Sequence, residues 1–184
     1  RFDMTTANPV RSPMNTGIKL SKKNSPTTPQ DVEFMKDKPY RQLIGSLLYA
    51  AISTRPDIAF SVSFLSRFLS CPGPAHWKAA KRILRYLRGT ISKGIVYSGP
   101  QQSYYSNNRL ELIGYVDAAF GDDEDTRRST SGFVFMLANG AITWQSKRQP
   151  TVAGSTAEAE YYGAYYACQE ACWLLKFVKE FKLP

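Results

Sequence analysis

The chain has 184 residues, enough for one ordinary domain or two small ones, and 43% of them are apolar, enough to pack a core. Three cysteines (Cys71, Cys168, Cys172) and a single histidine (His76) argue against a disulfide scaffold and against a Cys/His zinc site. No apolar run reaches the length of a membrane span, so no membrane partner is expected. The net charge of +9 is uneven: residues 1–109 carry 17 Lys/Arg against 5 Asp/Glu, and residues 110–184 carry 7 against 10. A strongly basic part beside a mildly acidic one suggests a surface that grips a polyanion next to one that bears carboxylates.

Residues 1–30 are rich in Pro, Ser, Thr and Asn, and Pro9, Pro13, Pro26 and Pro29 break any helix. They read as an extended linker from a preceding domain. The chain opens on Arg rather than Met, which reads as a fragment. Residues 31–109 read as mainly helical. A short helix is expected near Gln30 and a longer one over Tyr40–Ser53, where Leu43, Leu47 and Ala50/Ala51 recur at helical spacing. Pro56 suits the first turn of a third helix, running to about Leu69 with Ile58, Val62, Leu65 and Leu69 inward. The next helix, Ala75–Leu87, carries an apolar stripe of Trp77, Ala80, Leu84 and Leu87. On its other face lie Lys78, Lys81, Arg82 and Arg85, with Arg88 just beyond. That face holds no acid, and five like charges repel one another unless something neutralises them. A nucleic-acid phosphate backbone would do so. Gly94–Ser98 is a candidate strand, and Gly99–Arg109 a polar loop holding a domain boundary.

From Leu110 the pattern changes. An apolar run ends at Asp117, and two strand-like runs follow, Gly132–Leu137 and Ala141–Gln145, joined by Asn139-Gly140, a strong hairpin signal. A helix opens at Ser155, where Ser155-Thr156-Ala157-Glu158 has the form of a capping box, with Glu158 reaching back to the Ser155 amide. That gives Glu158 a structural task and leaves Glu160 free of it. Asp117 at a strand end and Glu160 in the first turns of a helix are two acids that the end of a sheet can bring together, as a two-metal phosphodiester site needs. Tyr115-Val116-Asp117-Ala118 lacks the second acid of a polymerase Tyr-x-Asp-Asp hairpin. Asp122-Asp123-Glu124-Asp125 lacks the spacing of a calcium loop and reads as a solvated hairpin loop. Along the last helix, Tyr161, Tyr165, Cys168, Cys172 and Leu175 form one face, expected to be core. Gly163, Ala164, Ala167 and Ala171 keep another face thin enough to lie close to a sheet.

Several segments resemble the Pol polyprotein of copia-type retrotransposons. Gly114-Tyr115-Val116-Asp117-Ala118, Arg127-Arg128-Ser129-Thr130-Ser131-Gly132, Trp144-Gln145-Ser146-Lys147 and Glu158-Ala159-Glu160-Tyr161 resemble the start of its ribonuclease H domain. Tyr40 to Tyr49, Thr54-Arg55-Pro56-Asp57-Ile58-Ala59 and the stretch from His76-Trp77-Lys78 to Gly89-Thr90 resemble the segment that joins reverse transcriptase to ribonuclease H. The chain departs from the family at Ala119 and Phe120, where a second Asp and a Trp are common. The resemblance implies an α+β fold: a helical connection region over 31–109, then over 110–184 the first half of a ribonuclease H-like domain, a three-stranded antiparallel meander followed by one long helix. It implies Asp117 and Glu160 as catalytic acids and metal ligands, two Mg2+ or Mn2+ ions in the intact domain, and hydrolysis of the RNA strand of RNA–DNA hybrids. It implies a reverse transcriptase domain in the same polyprotein, and an intracellular setting in a cytoplasmic virus-like particle or the nucleus. The family's third acid follows this helix, and no Asp occurs after Asp125, so the fragment alone is expected to be inactive. A non-catalytic nucleic-acid-binding module, or a degenerate relic, is the alternative.

Overall fold

The computed structural model describes Phe2 and residues 4–98 and 111–181. The polar loop expected over 99–109 and the expected strand start at Leu110 lie outside them. The chain divides into two compact units, Arg1–Gly94 and Ile95–Pro184.

The first unit is helical: α1 (Pro29–Lys36), α2 (Tyr40–Ser53), α3 (Ala59–Ser66) and α4 (Pro74–Gly89), with a 3-10 turn, Pro56–Ile58, leading into α3. Each prolyl start sits where its missing N–H costs nothing. The core is built from Leu43, Ile44 and Leu47 of α2, Ile58, Val62 and Leu65, and Ala80 and Ile83 of α4. The inward face of α4 comprises His76, Ala79, Ala80, Ile83 and Tyr86. Trp77, Leu84 and Leu87 of the expected stripe pack only at its margin. His76 moves the stripe: its Nδ1 accepts the Gly73 N–H at 2.9 Å, capping the helix, and its ring stacks on Phe68 at 4.0 Å. Bonded to Gly73 and stacked on Phe68 in this way, the imidazole counts as core. The proline-rich segment before α1 holds turns and a 3-10 helix, Lys22–Asn24, and Phe2, Val10, Met14 and Ile18 pack against the helical core with Leu20 buried in it.

Arg55 and Asp57 of the Thr54–Ala59 motif form a latch. Arg55 pairs with Asp57 through two hydrogen bonds (2.9 and 2.7 Å) and donates to Thr90 Oγ1 at 2.6 Å. The Tyr86 hydroxyl also donates to Asp57, at 2.7 Å. Burial pushes the Asp57 carboxyl up, but the hydrogen bonds from Arg55 and Tyr86 and the Arg55 charge outweigh it, so its pKa lies below the ordinary value. A carboxyl depressed in the folded state stabilises the fold above the unfolded pKa, and that contribution fades as pH falls through the folded value. Asp57→Ala should therefore cost about 1 kcal/mol at neutral pH: hydrogen bonds to charged groups are worth about 1.5–3 kcal/mol, and the exposure of Asp57 discounts this through solvent screening. The deficit should shrink as pH drops below the ordinary carboxylate range. Urea titrations across pH would check it, and a pH-independent deficit would exclude the linkage.

The second unit is a three-stranded antiparallel meander, β1 (Ile113–Ala119), β2 (Thr130–Leu137) and β3 (Gly140–Arg148), followed by the 25-residue helix α5 (Thr156–Glu180). This is the expected α+β arrangement. The hairpin turn falls one residue earlier than expected. Ala138 and Asn139 hold positive φ (51° and 63°), and Gly140 already pairs with Leu137 in the ladder. Gly140 is constrained by space instead: an added Cβ would lie 2.3 Å from the Tyr97 ring and 3.0 Å from the Val96 carbonyl oxygen. Residues 96–98 clasp this turn without forming a strand, since the Ser98 N–H donates to Ala138 O and the Tyr97 hydroxyl to Ala141 O. Ala138→Gly should stabilise the unit by about 1 kcal/mol, because a left-handed backbone strains a Cβ-bearing residue. A fall in the melting temperature would exclude that reading.

The thin face of α5 lies on the sheet. Ala159, Gly163, Ala167 and Leu174 are its buried residues, and Phe135 packs among Ala167 and Leu174. The face with Tyr161, Tyr165, Cys168, Cys172 and Leu175 points to solvent, which corrects the expectation that it is core. Small residues let the helix axis approach the sheet, and the larger side chains are then left outside.

Candidate active site

Asp117 stands late in β1, opposite Gly132 of β2, and is exposed. Its Oδ1 accepts the Ala118 N–H at 2.9 Å. Phe135 and its ladder partner Gly114 share the face that meets α5, so alternation turns Val116 and Ala118 toward the helix and gives Asp117 and Tyr115 to the other side.

The start of α5 explains how Glu158 and Glu160 divide. Ser155 is the N-cap, its hydroxyl accepting the Glu158 N–H at 3.1 Å. The Glu158 carboxylate accepts the Gly154 N–H at 2.7 Å, one residue before the amide that the capping box implied. Glu158 is thus committed to the helix start. Glu160 is exposed and takes no part in the cap.

Two features seat this first turn beside β1. A Cβ built on Gly163 would lie 3.4 Å from Val116 Cγ2 and 3.7 Å from Asp117 O, so α5 meets the strand at the Asp117 peptide. Glu160 lies one turn earlier on the helix. The second feature is Gln149, which is almost fully buried. Its Nε2 donates to Ser131 Oγ and to Ala159 O, each at 2.8 Å, and its N–H donates to Ser129 O. Gln149 thereby ties the peptide preceding Glu160 to β2. The sequence reading missed it, and the only signal was a polar residue squeezed between a strand and Pro150.

The acidic run is no solvated loop throughout. Asp123 is buried, accepts from the Asp125 N–H and the Thr126 hydroxyl, and pairs with Arg148. Asp122 accepts from the Thr130 hydroxyl at 2.7 Å. These bonds let Arg127 hold its positive φ of 58° and close the β1–β2 connection. Among the described residues no three acids, histidines or cysteines gather as a metal-binding group. Asp117 and Glu160 offer the hard oxygen donors that a magnesium ion prefers, but they make up only part of an octahedral set.

The basic residues of α4 are placed differently. Lys78 is exposed. Lys81 Nζ donates to Phe2 O at 3.2 Å, Arg82 to Ser12 Oγ at 3.0 Å and Arg85 to Asn8 O at 2.6 Å. Arg88 donates to the Met4 and Ala7 carbonyls. The cationic face expected to meet phosphates thus holds the chain's own N-terminal segment.

No protein-family profile and no solved structure matches the chain. Curated proteins do. The chain is 45% identical over 183 residues to a retrovirus-related Pol polyprotein from transposon TNT 1-94 of Nicotiana tabacum, an alignment covering all of this chain and 13% of that protein. It is 37% identical over 180 residues to the Pol polyprotein from transposon RE2 of Arabidopsis thaliana, covering 98% of this chain and 11% of that one. It is also 44% identical over 140 residues to secreted RxLR effector protein 161 of Plasmopara viticola, covering 76% of this chain and 94% of that protein. The chain thus corresponds to a small part of the polyproteins. Over its whole length the chain is homologous to a segment of the retrovirus-related Pol polyproteins of transposons.

Proposed function

We propose that residues 110–184 contribute the first carboxylates of a ribonuclease H-type nuclease within a transposon Pol polyprotein, and that residues 31–109 form the connection from its reverse transcriptase. The observation that carries this reading is the meeting of α5 and β1 at the Asp117 peptide, with Glu158 used in the cap and Glu160 left over one turn away; it is a backbone approach, the Asp117 side chain itself lying on the sheet face opposite the helix. In this role Asp117 and Glu160 would be two of the oxygen ligands of divalent metal, Mg2+ or Mn2+, which would supply water activation and stabilisation of the leaving oxygen of a phosphodiester. Ser155 and Glu158 hold the helix start, and Gln149 fixes the height of the Glu160 turn over the sheet. The substrate is the RNA strand of an RNA–DNA hybrid formed during reverse transcription of the element, in a cytoplasmic particle or the nucleus. The test is metal-dependent cleavage of a labelled hybrid by a Pol protein carrying this region, compared with its Asp117→Asn and Glu160→Gln forms. Equal cleavage by all three would remove the assignment.

The cation-rich face of α4 favours a second, non-catalytic reading: a nucleic-acid grip that also suits a relic without activity. Replacing Lys78, Lys81, Arg82 and Arg85 with Ala should weaken hybrid binding without sequence preference. It should also lower the log–log salt slope by about one for each phosphate no longer neutralised. An unchanged slope would make the face purely structural.

A further inference from the structure

We infer that the N-terminal segment is a displaceable strap that occupies the phosphate-binding face of α4, a reading that rests on the nucleic-acid role proposed for that face. Four cations of α4 reach the strap: Lys81 to Phe2 O, Arg85 to Asn8 O, Arg88 to Met4 and Ala7 O, and Arg82 to Ser12 Oγ. Among the described residues all these acceptors are neutral. Main-chain carbonyls and a hydroxyl satisfy donor geometry, but they leave every unit charge in place, and no acid lies on this face of α4.

The fit is also incomplete. Arg82 Nε is buried and has no acceptor among the described residues. A phosphate would supply what the strap lacks: several anionic oxygens in the fork geometry that guanidinium groups bind best, and the neutralising charge. The strap carbonyls stand where phosphate oxygens would stand, so strap and nucleic acid compete for the same donors. Proline-punctuated backbone with few buried side chains is easily lifted from such a surface. The device sets a threshold: a weak or isolated anion leaves the strap in place, whereas a continuous phosphate backbone replaces all of its hydrogen bonds at once.

The strap can be locked where it crosses the end of α4. A Cβ built on Gly89 lies 3.0 Å from Pro9 Cβ, close to disulfide separation after a small shift, and Gly89 does not have positive φ. The test is a full-length chain with Pro9→Cys and Gly89→Cys in a background of Cys71→Ser, Cys168→Ser and Cys172→Ser. Its binding to a fluorescein-labelled RNA–DNA hybrid is measured oxidised and reduced, with circular dichroism confirming that both forms are folded. The oxidised form should bind at least about tenfold more weakly, as expected when several phosphate-binding cations are blocked, and reductant should restore binding. Equal binding by both forms would overturn the strap while leaving the nucleic-acid role of α4 intact. Absence of binding by the reduced form and by the unmodified chain would overturn that role and the strap with it. The unmodified chain gives an independent readout: hydrogen exchange at residues 4–12 should accelerate when hybrid is added. Unchanged or slower exchange in the bound complex would also refute displacement.

Discussion

Asp117→Asn or Glu160→Gln, made in a Pol protein that carries this region, should lower hybrid-directed RNA cleavage by about a hundredfold or more, with hybrid affinity little changed. The scale is that of removing one group that stabilises charge in a transition state. Each amide keeps the shape of its acid and loses the charge that a divalent ion requires. Asn at position 117 would also keep the bond from the Ala118 N–H, since its side-chain oxygen can still accept. The fold should therefore be unaffected, and matching denaturation curves would show that the loss is chemical. Glu158→Gln is the internal control: it touches the Gly154 amide and should affect helix stability more than cleavage. Loss of activity with Glu158→Gln and none with Glu160→Gln would reverse the assignment. The 184-residue chain by itself should not cleave hybrid above background, because two carboxylates hold neither ion of a pair in register.

Gln149→Ala should destabilise the second unit by about 2–4 kcal/mol, combining a cavity with buried groups that lose their partner. The Ala159 carbonyl and the Ser131 hydroxyl would both lose the Nε2 donor. Hydrogen exchange should localise the damage to the first turns of α5 before the far end of the helix responds. Gln149→Leu fills the space but not the bonds, so it should recover only the cavity part. If Gln149→Leu matched the wild type in urea denaturation, the tie between Ala159 and β2 would be energetically irrelevant.

The elements whose signal is local were legible in the sequence. Helix α2 announces itself by spacing, the start of α5 by its cap, and the meander by alternating runs around a turn. What depends on a partner surface was not. The turn settles on Ala138-Asn139, and Tyr97 packs where a Cβ at Gly140 would stand, a long-range contact with no signature near the turn. Hydrophobicity favoured the aromatic face of α5 as core, whereas close approach to the sheet selected its small residues. In α4 the inward face rotates toward a histidine, because His76 finds both a cap partner and a ring to stack on. Of the candidate site, the separate tasks of Glu158 and Glu160 were legible from the helix start. Gln149 was not, since a lone glutamine gives no sign of burial. The acidic run misled in the opposite direction: Asp123 is as polar as its neighbours and becomes interior only because Arg148, far along the chain, closes over it.

The outward side of α5 makes the helix a natural place for reporters. Cys168 and Cys172 are exposed and one helical turn apart, so a bifunctional thiol reagent can bridge them across that turn without entering the sheet interface. Trp173 is exposed too, stacked on Phe177 at 5.2 Å, so its emission is open to a collisional quencher. Thiol labelling rate and quenching would each register any protein segment or nucleic acid that comes to cover this side, with the native residues serving as the probes.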